Sequence, residues 1–494
     1  MSVVCSLQNT TKEFQKIIVD TFTVRSKKKH QGKWIFGDPM KLYQLSQDKK
    51  WVSLPLYEGK KVFKPSQIYS YAHFQPDRPH MKFTGTLLET ERQDQVSAMA
   101  EALPMLMKES TVTLALKTGH GKCSECYFLV NQVKKRTLIV LCQTVLIKNW
   151  VSDGKRTNNN IMAIESTKIT TISDDVDVII CMDTRLCAIP DNVANSIGTL
   201  VLDEAVDFCT AKRYASLMRF HPQYVIAATA TPTRGSDGLH CMLELMVGEH
   251  KIVRINQIPF NVIKMSTGVI PNTIESAQGT DWTYLSYDLF LNERRNRIVL
   301  DCILANIEEH KIMILTDFGV SVDLIYDLCK LYDIDVSKFS GSQKSYENAR
   351  VLIGSSAKIG QGFDECGTCS SYDGIRIDLI IFIASTKQEE VLLQYLGRAF
   401  RAENPNMIHF SDNHRILKNH WKLSVPVYEK VKGVITEASW DKPYFVKDDI
   451  LFKQRHNECL KNVLSILESK KQVPVYADVL RERLVKDGVI KNMN

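Results

Sequence analysis

Leu116-Lys117-Thr118-Gly119-His120-Gly121-Lys122-Cys123 is the stretch that decides how this chain reads. It follows a β-branched run, Thr111–Leu116, and precedes a helix-like segment, Cys123–Lys134. Glycines let a backbone wrap closely around a phosphate. The helix N-terminus adds unpaired N–H groups and the positive end of a dipole, and a lysine placed like Lys122 reaches the β- and γ-phosphates. Thr118, Gly119, His120, Gly121, Lys122 and Cys123 therefore form a candidate ATP-binding loop. A plain strand–helix turn has the same outline, so the rest of the chain has to decide.

Outward from the loop, helix-like segments (Arg92–Met107, Cys123–Lys134) alternate with short apolar runs at Thr137–Cys142, Val176–Met182, Thr199–Leu202 and Tyr224–Ala228. That alternation predicts a parallel sheet covered on both faces. A second series follows, Ile312–Thr316, Ala349–Ile353 and Ile377–Ala384, then a helix over Glu389–Phe400. Two tandem α/β domains are expected, residues 81–255 and 256–425, with a helical extension over 426–494 where Phe452, Cys459, Leu460, Val463, Leu464 and Leu467 recur at helical spacing.

Residues 1–80 differ. They carry 14 Lys and Arg against 6 Asp and Glu, whereas the remainder carries 49 against 50, so the net charge of +7 originates here. Trp34, Phe36, Trp51, Tyr57, Phe63, Tyr69, Tyr71 and Phe74 are interleaved with the lysines. A small, basic, β-rich N-terminal domain is expected. Its aromatics either form its core or stack on nucleic-acid bases.

The length of 494 residues exceeds what one core usually spans, and 44% hydrophobic with 24% charged residues is a globular composition. No apolar run approaches the ~18 residues of a membrane helix, so no membrane partner is expected. The N-terminus lacks a basic start followed by a long apolar stretch, which argues against a secretory signal. Thirteen scattered cysteines fit free thiols in a reducing, intracellular compartment.

Three more segments carry chemistry. In Leu200-Val201-Leu202-Asp203-Glu204-Ala205-Val206, two carboxylates end an apolar strand. Asp203 can hold Mg²⁺ through water, and Glu204 can orient and deprotonate an attacking water. In Ala228-Thr229-Ala230-Thr231-Pro232-Thr233-Arg234, the hydroxyls of Thr229 and Thr231 can bond the Asp-Glu loop and couple it to nucleotide state. In Gln394-Tyr395-Leu396-Gly397-Arg398-Ala399-Phe400-Arg401, Arg398 and Arg401 are spaced to share a helix face, and two guanidiniums aimed at one spot suit a γ-phosphate.

These four segments, in this order, resemble the core of superfamily 2 helicases, the DEAD/DEAH-like nucleic-acid-dependent ATPases. Thr137–Trp150 resembles motif Ia with Cys142 in place of a usual proline, Asp177–Leu186 motif Ib, Ile312–Val322 motif IV, and Val351–Asp364 motif V, with Ser355, Gly362 and Asp364 at its marked positions. Gln93 or Gln95 stands where the adenine-reading glutamine is found. The compact layout is most like helicases of large DNA viruses, such as the poxvirus transcript-release DNA helicases.

The resemblance implies two RecA-like domains with parallel sheets, ATP with Mg²⁺, and a nucleic-acid partner, DNA or RNA. It implies a role in viral transcription beside RNA polymerase or transcription factors, in host cytoplasm or virion. Lys122, Asp203, Glu204, Gln394, Arg398 and Arg401 are its catalytic residues, and Gln93, Gly362 and Asp364 join the loop in binding ATP. Two departures stand out. Cys123 replaces the Ser or Thr whose oxygen meets Mg²⁺, and Val206 replaces an Asp or His able to bond Thr229 or Thr231. Both favour the competing reading, a non-hydrolysing nucleic-acid-binding or polymerase-associated factor on a degenerate helicase fold.

Overall fold

The computed structural model describes the whole chain except residues 31–32, 70–75, 168–170, 233–236, 277–278, 361–362, 470–473 and 492–494. Tyr71, Phe74, Thr233, Arg234 and Gly362 lie outside the described residues. The chain divides into two units, Met1–Asn256 and Gln257–Asn494.

The first unit is built on a seven-stranded, all-parallel sheet. Its spatial order is Lys251–Arg254, Thr111–Leu116, Tyr224–Thr229, Thr199–Asp203, Thr137–Leu141, Val178–Met182 and Ile161–Ile164. The five inner strands are mostly apolar and buried along their length, as a sheet covered on both faces requires. Helices Gln95–Glu109, Lys122–Val133 and Val145–Gly154 pack over one face around Tyr127 and Trp150.

The other face is covered in part by the N-terminal segment. Ser2–Ser6, Trp51–Pro55, Gln44–Leu45 and Ile68–Tyr69 form an antiparallel sheet, joined by helices Lys12–Thr21 and Leu56–Val62. Val3, Phe22, Leu54 and Phe63 belong to the same hydrophobic cluster as Leu138, Leu200 and Val225 of the parallel sheet. The Tyr57 hydroxyl meets His250 Nε2 at 2.8 Å. Residues 1–69 and the parallel sheet thus share one core. The aromatics divide accordingly: Tyr57 and Phe63 are core, whereas Trp34, Phe36 and Tyr69 are exposed.

The second unit repeats the architecture. Its parallel sheet runs Val336–Phe339, Val351–Ser355, Ile312–Thr316, Leu379–Phe382, Asn406–Ser411, Phe260–Ser266 and Gly433–Ser439. The C-terminal helices Asp449–Ser469 and Pro474–Lys486 contribute Phe452, Leu460, Val463 and Leu480 to the cluster that holds Ile314, Val322 and Ile325. Among the described residues no helix is long and apolar enough to cross a membrane.

Candidate functional site

The phosphate-loop candidate joins strand Thr111–Leu116 to helix Lys122–Val133, with Gly121 as N-cap. Gly121 has φ 106°, and a Cβ there would run into the side-chain amide of Gln95. Glycine is needed at this position both for its backbone conformation and for room. Gln95 is buried and used at both ends: Nε2 donates to His120 O at 2.5 Å, and Oε1 accepts from Leu88 N at 2.9 Å. Gln93 Nε2 donates to Gly119 O at 2.7 Å from a half-buried position. Of the two glutamines, Gln95 is a wall of the loop, and Gln93 is the one placed at its rim.

His120 is fully buried between two carboxylates, with Nδ1 3.0 Å from Glu125 Oε2 and Nε2 3.0 Å from Asp94 Oδ1. Burial opposes a charge on the imidazole, but the hydrogen bonds and charges of Glu125 and Asp94 outweigh it and hold His120 above its ordinary value. Asp94 also pairs with Arg254 of the edge strand. Arg254, Asp94, His120 and Glu125 therefore pin the loop from inside the first unit. Sequence reading missed Asp94, Glu125 and Arg254, because nothing in their spacing announces contacts made through the fold.

Lys122 Nζ donates to Glu204 Oε1 at 3.2 Å. Asp203 ends strand Thr199–Asp203, and Glu204 follows with φ 50°. A left-handed backbone at a non-glycine residue costs on the order of 1–3 kcal/mol, and such strain clusters at functional sites. Asp203 Oδ2 accepts from Trp150 Nε1 at 2.8 Å, and Oδ1 accepts from Glu204 N at 3.1 Å. Burial, then the Glu204 charge, raises Asp203 to about 6 against the pull of Lys122 and Trp150.

A carboxyl whose pKa is higher in the folded than in the unfolded chain destabilises the fold in full above the folded pKa; the penalty shrinks as pH falls below that value and is gone only below the unfolded pKa. Asp203→Asn keeps an acceptor for Trp150 and removes that charge. The ligand-free variant should melt higher than the parent at pH 8, and the gap should begin to close as pH falls through about 6 and be gone below the ordinary carboxylate value of about 4. Melting curves over this range check it. A gap that widens toward acid would show that Asp203 is not held above its ordinary value.

Thr229 ends the neighbouring strand. Its Oγ1 lies 3.4 Å from Glu204 Oε2 and 3.2 Å from Thr231 O, and accepts from Thr231 N at 3.1 Å. Val206 is buried in the hydrophobic cluster. Glu204, rather than position 206, is the residue of this loop whose carboxylate reaches Thr229.

Cys123 is half-buried. Burial, with Asp203 beside it, pushes the thiol well above its usual value, so it is a neutral thiol. Ser124 Oγ accepts from Arg156 Nη1 at 2.9 Å. The donor set offered to a hard cation is therefore the Asp203 carboxylate. That set fits Mg²⁺ with its remaining positions on phosphate and water, and Cys123 does not fit it.

In the second unit, Arg398 is buried on helix Glu389–Ala399 and donates to Gly360 O at 2.6 Å and Phe363 O at 2.9 Å. Arg401 lies past the helix end, so the two arginines do not share a helix face as the spacing suggested. The helix stops at Ala399 with Phe400 as its cap. Both guanidiniums nevertheless converge on one segment, for Arg401 Nη1 donates to Asp364 Oδ1 at 2.6 Å and Nη2 to Phe363 O at 3.3 Å. Asp364 also accepts from Arg376 at 3.1 Å. Gln394 is half-buried one turn before Arg398. Among the described residues no group of three or more His, Cys, Asp and Glu side chains is arranged to hold a metal ion.

No protein-family model matches the sequence. The chain is 27% identical over 383 residues to "Putative helicase 161L" of Invertebrate iridescent virus 6, covering 72% of this chain and 83% of that protein. It is 23% identical over 245 residues to "Putative helicase 109L" of Invertebrate iridescent virus 3, covering 47% of this chain and 72% of the relative. Among solved structures, a single-substitution variant of S. cerevisiae Dbp5 bound to RNA and ADP BeF3 aligns with a TM-score of 0.49 and 13% identity over 73% of this chain and 93% of Dbp5. With the ordered motifs set on two parallel seven-stranded sheets, and a putative helicase of an iridescent virus matching 72% of the chain, this protein is similar to the superfamily 2 helicases of large DNA viruses.

Proposed function

We propose that this chain is a nucleic-acid-dependent ATPase, a helicase-type enzyme that couples ATP hydrolysis to movement along, or remodelling of, DNA or RNA. The observation that carries this reading is the chain Lys122–Glu204–Thr229, with Asp203 beside it. These groups sit at or just beyond the carboxyl ends of three neighbouring parallel strands, where open α/β sheets bind their ligands.

Each residue then has a role. The backbone of Thr118–Cys123 cradles the phosphates, with Gln93 at the rim for the base. Lys122 leaves Glu204 for the β- and γ-phosphates, which frees Glu204 to orient and deprotonate water. Thr229, bonded to Glu204, responds to that exchange and passes it to Thr231. Arg398 and Arg401 stabilise charge on the transferring γ-phosphoryl, and Asp364 holds Arg401 until it is needed. Asp203 would hold Mg²⁺, which would supply charge neutralisation on the phosphate oxygens.

Cys123 sets an expectation of its own. Cys123→Thr restores a hard oxygen at similar volume, so it should lower the Mg²⁺ concentration needed for half-maximal nucleotide binding and for half-maximal hydrolysis, with the melting temperature unchanged. Titrating Mg²⁺ by calorimetry and by phosphate release checks both. Superimposable curves for variant and parent would mean that water replaces the hydroxyl at no cost.

The iridescent-virus relatives extend the reading to a viral setting. There the chain would act in a reducing intracellular compartment, with RNA polymerase or transcription factors as partners in termination or transcript release. The competing reading, a non-hydrolysing binding factor, draws its support from Cys123 and Val206. An ATPase assay with and without saturating nucleic acid separates the two.

A further inference from the structure

The exposed aromatics of the N-terminal segment gather on one element. Strands Thr23–His30 and Lys33–Lys41 pair antiparallel as a two-stranded ribbon outside both parallel sheets. Trp34, Ile35 and Phe36 follow one another along it and are 55%, 56% and 60% exposed. Three large apolar residues in a row facing water are a fault in a strand unless they have a use. Trp34 and Phe36 are two apart and lie on one face of the ribbon. Phe36 is the register partner of Lys27, and Trp34 that of Lys29. Lys27 Nζ stands 5.7 Å from the Trp34 ring centroid, and Arg25 and Lys27 are both exposed.

The base of the ribbon is fastened. Lys27 N donates to Asp237 O at 2.9 Å. The Lys27 side chain lies along Gly238, where an added Cβ would sit 2.8 Å from Lys27 Cε. Gly238 has φ 69°, a conformation that suits glycine and permits this approach. The register shift between Arg25 and Lys27 adds a bulge, which bends and twists a ribbon locally. The rings are therefore displayed from an anchored support, on the chain that continues from Thr231.

We propose that this ribbon is a base-stacking arm for single-stranded nucleic acid, with Trp34 and Phe36 as the platform and Lys27 as the phosphate-facing cation. The proposal rests on the reading above only for the class of ligand. Charge selects the occupant. Residues 1–80 hold the chain's net positive charge, and cations beside exposed rings complement a strand that offers phosphates and unpaired bases together. A second copy of this chain would bring the same cations against one another across a symmetric contact, and like charges there are unfavourable.

The test titrates fluorescent oligothymidylate and oligouridylate with the full chain at several salt concentrations. Trp34→Ala/Phe36→Ala should weaken binding about tenfold or more, because stacking on an aromatic ring contributes that much per base. Trp34→Phe keeps a ring and should weaken it far less. Lys27→Ala should instead lower the slope of log affinity against log salt by about one. Melting curves should match the parent, since both rings face solvent. Basal ATP hydrolysis should be the same in every variant.

Binding by the double alanine variant within twofold of the parent would overturn the proposal. So would a parent dimer that the double variant loses while its nucleic-acid affinity stays the same. Failure of the parent to bind either oligonucleotide would overturn both this proposal and the motor reading. Ring-dependent binding by a parent that never hydrolyses ATP would sink the ATPase reading alone and leave the arm standing.

Discussion

Arg401→Ala should lower the nucleic-acid-stimulated kcat by about 10³–10⁵, the range that loss of an arginine finger produces. Its ion pair with Asp364 lies within the second unit and is partly open to solvent, so truncation tests the role proposed for it without opening a core. ATP affinity should stay within a few-fold, and the melting temperature should hardly move. Arg398→Ala should behave differently. Its guanidinium is buried, donates to the carbonyl of Gly360 and shares that of Phe363 with Arg401, so its loss removes a buried donor from Gly360, at about 1–3 kcal/mol for such a group, and should lower both kcat and melting temperature. Steady-state hydrolysis at saturating oligonucleotide, run beside melting curves, separates the two. Parent-like turnover in Arg401→Ala would remove it from the catalytic set.

The second large effect belongs to Glu204. Glu204→Gln retains the shape and an acceptor for Thr229 but cannot take a proton from water. A positioned general base contributes about 10²–10⁴ in rate, so kcat should fall by that much. Binding should move the other way. The Lys122 ammonium pairs with the Glu204 carboxylate, and on the proposed mechanism ATP displaces it. With that charge gone, ATP should bind as tightly as in the parent or more so. Equilibrium binding of a fluorescent ATP analogue beside single-turnover hydrolysis gives both numbers. A variant that loses binding and turnover together would assign Glu204 to holding Lys122 rather than to activating water.

Much of this fold was legible in the sequence, for a physical reason. The inner strands of a covered parallel sheet are predominantly apolar, and Thr111–Leu116, Thr199–Asp203, Ile312–Thr316 and Leu379–Phe382 show as such. The strands at or next to the sheet edges did not show. Lys251–Arg254 and Phe260–Ser266 mix buried and exposed positions, and Gly433–Ser439 lies past residue 425 with most of its residues open to solvent. Their pattern is close to that of a loop.

The candidate site divides in the same way. Lys122, Asp203, Glu204 and Thr229 were found because strand ends and a glycine loop leave marks in the local sequence. The Trp150–Asp203 hydrogen bond and the Asp94–His120–Glu125 chain leave none, since they join residues on elements brought together only by folding. Local spacing also misled. Arg398 and Arg401 are three apart, yet the helix ends between them, and they meet at Phe363 through the turn that follows.

The most direct test is phosphate release from ATP by the parent protein, with and without saturating single-stranded DNA or RNA, beside the Glu204→Gln variant. An ATP-driven motor should release phosphate in Mg²⁺, faster by several-fold when nucleic acid is present, and the variant should release almost none. No release from a folded parent that binds nucleic acid, or release that is equal in parent and variant, would contradict it.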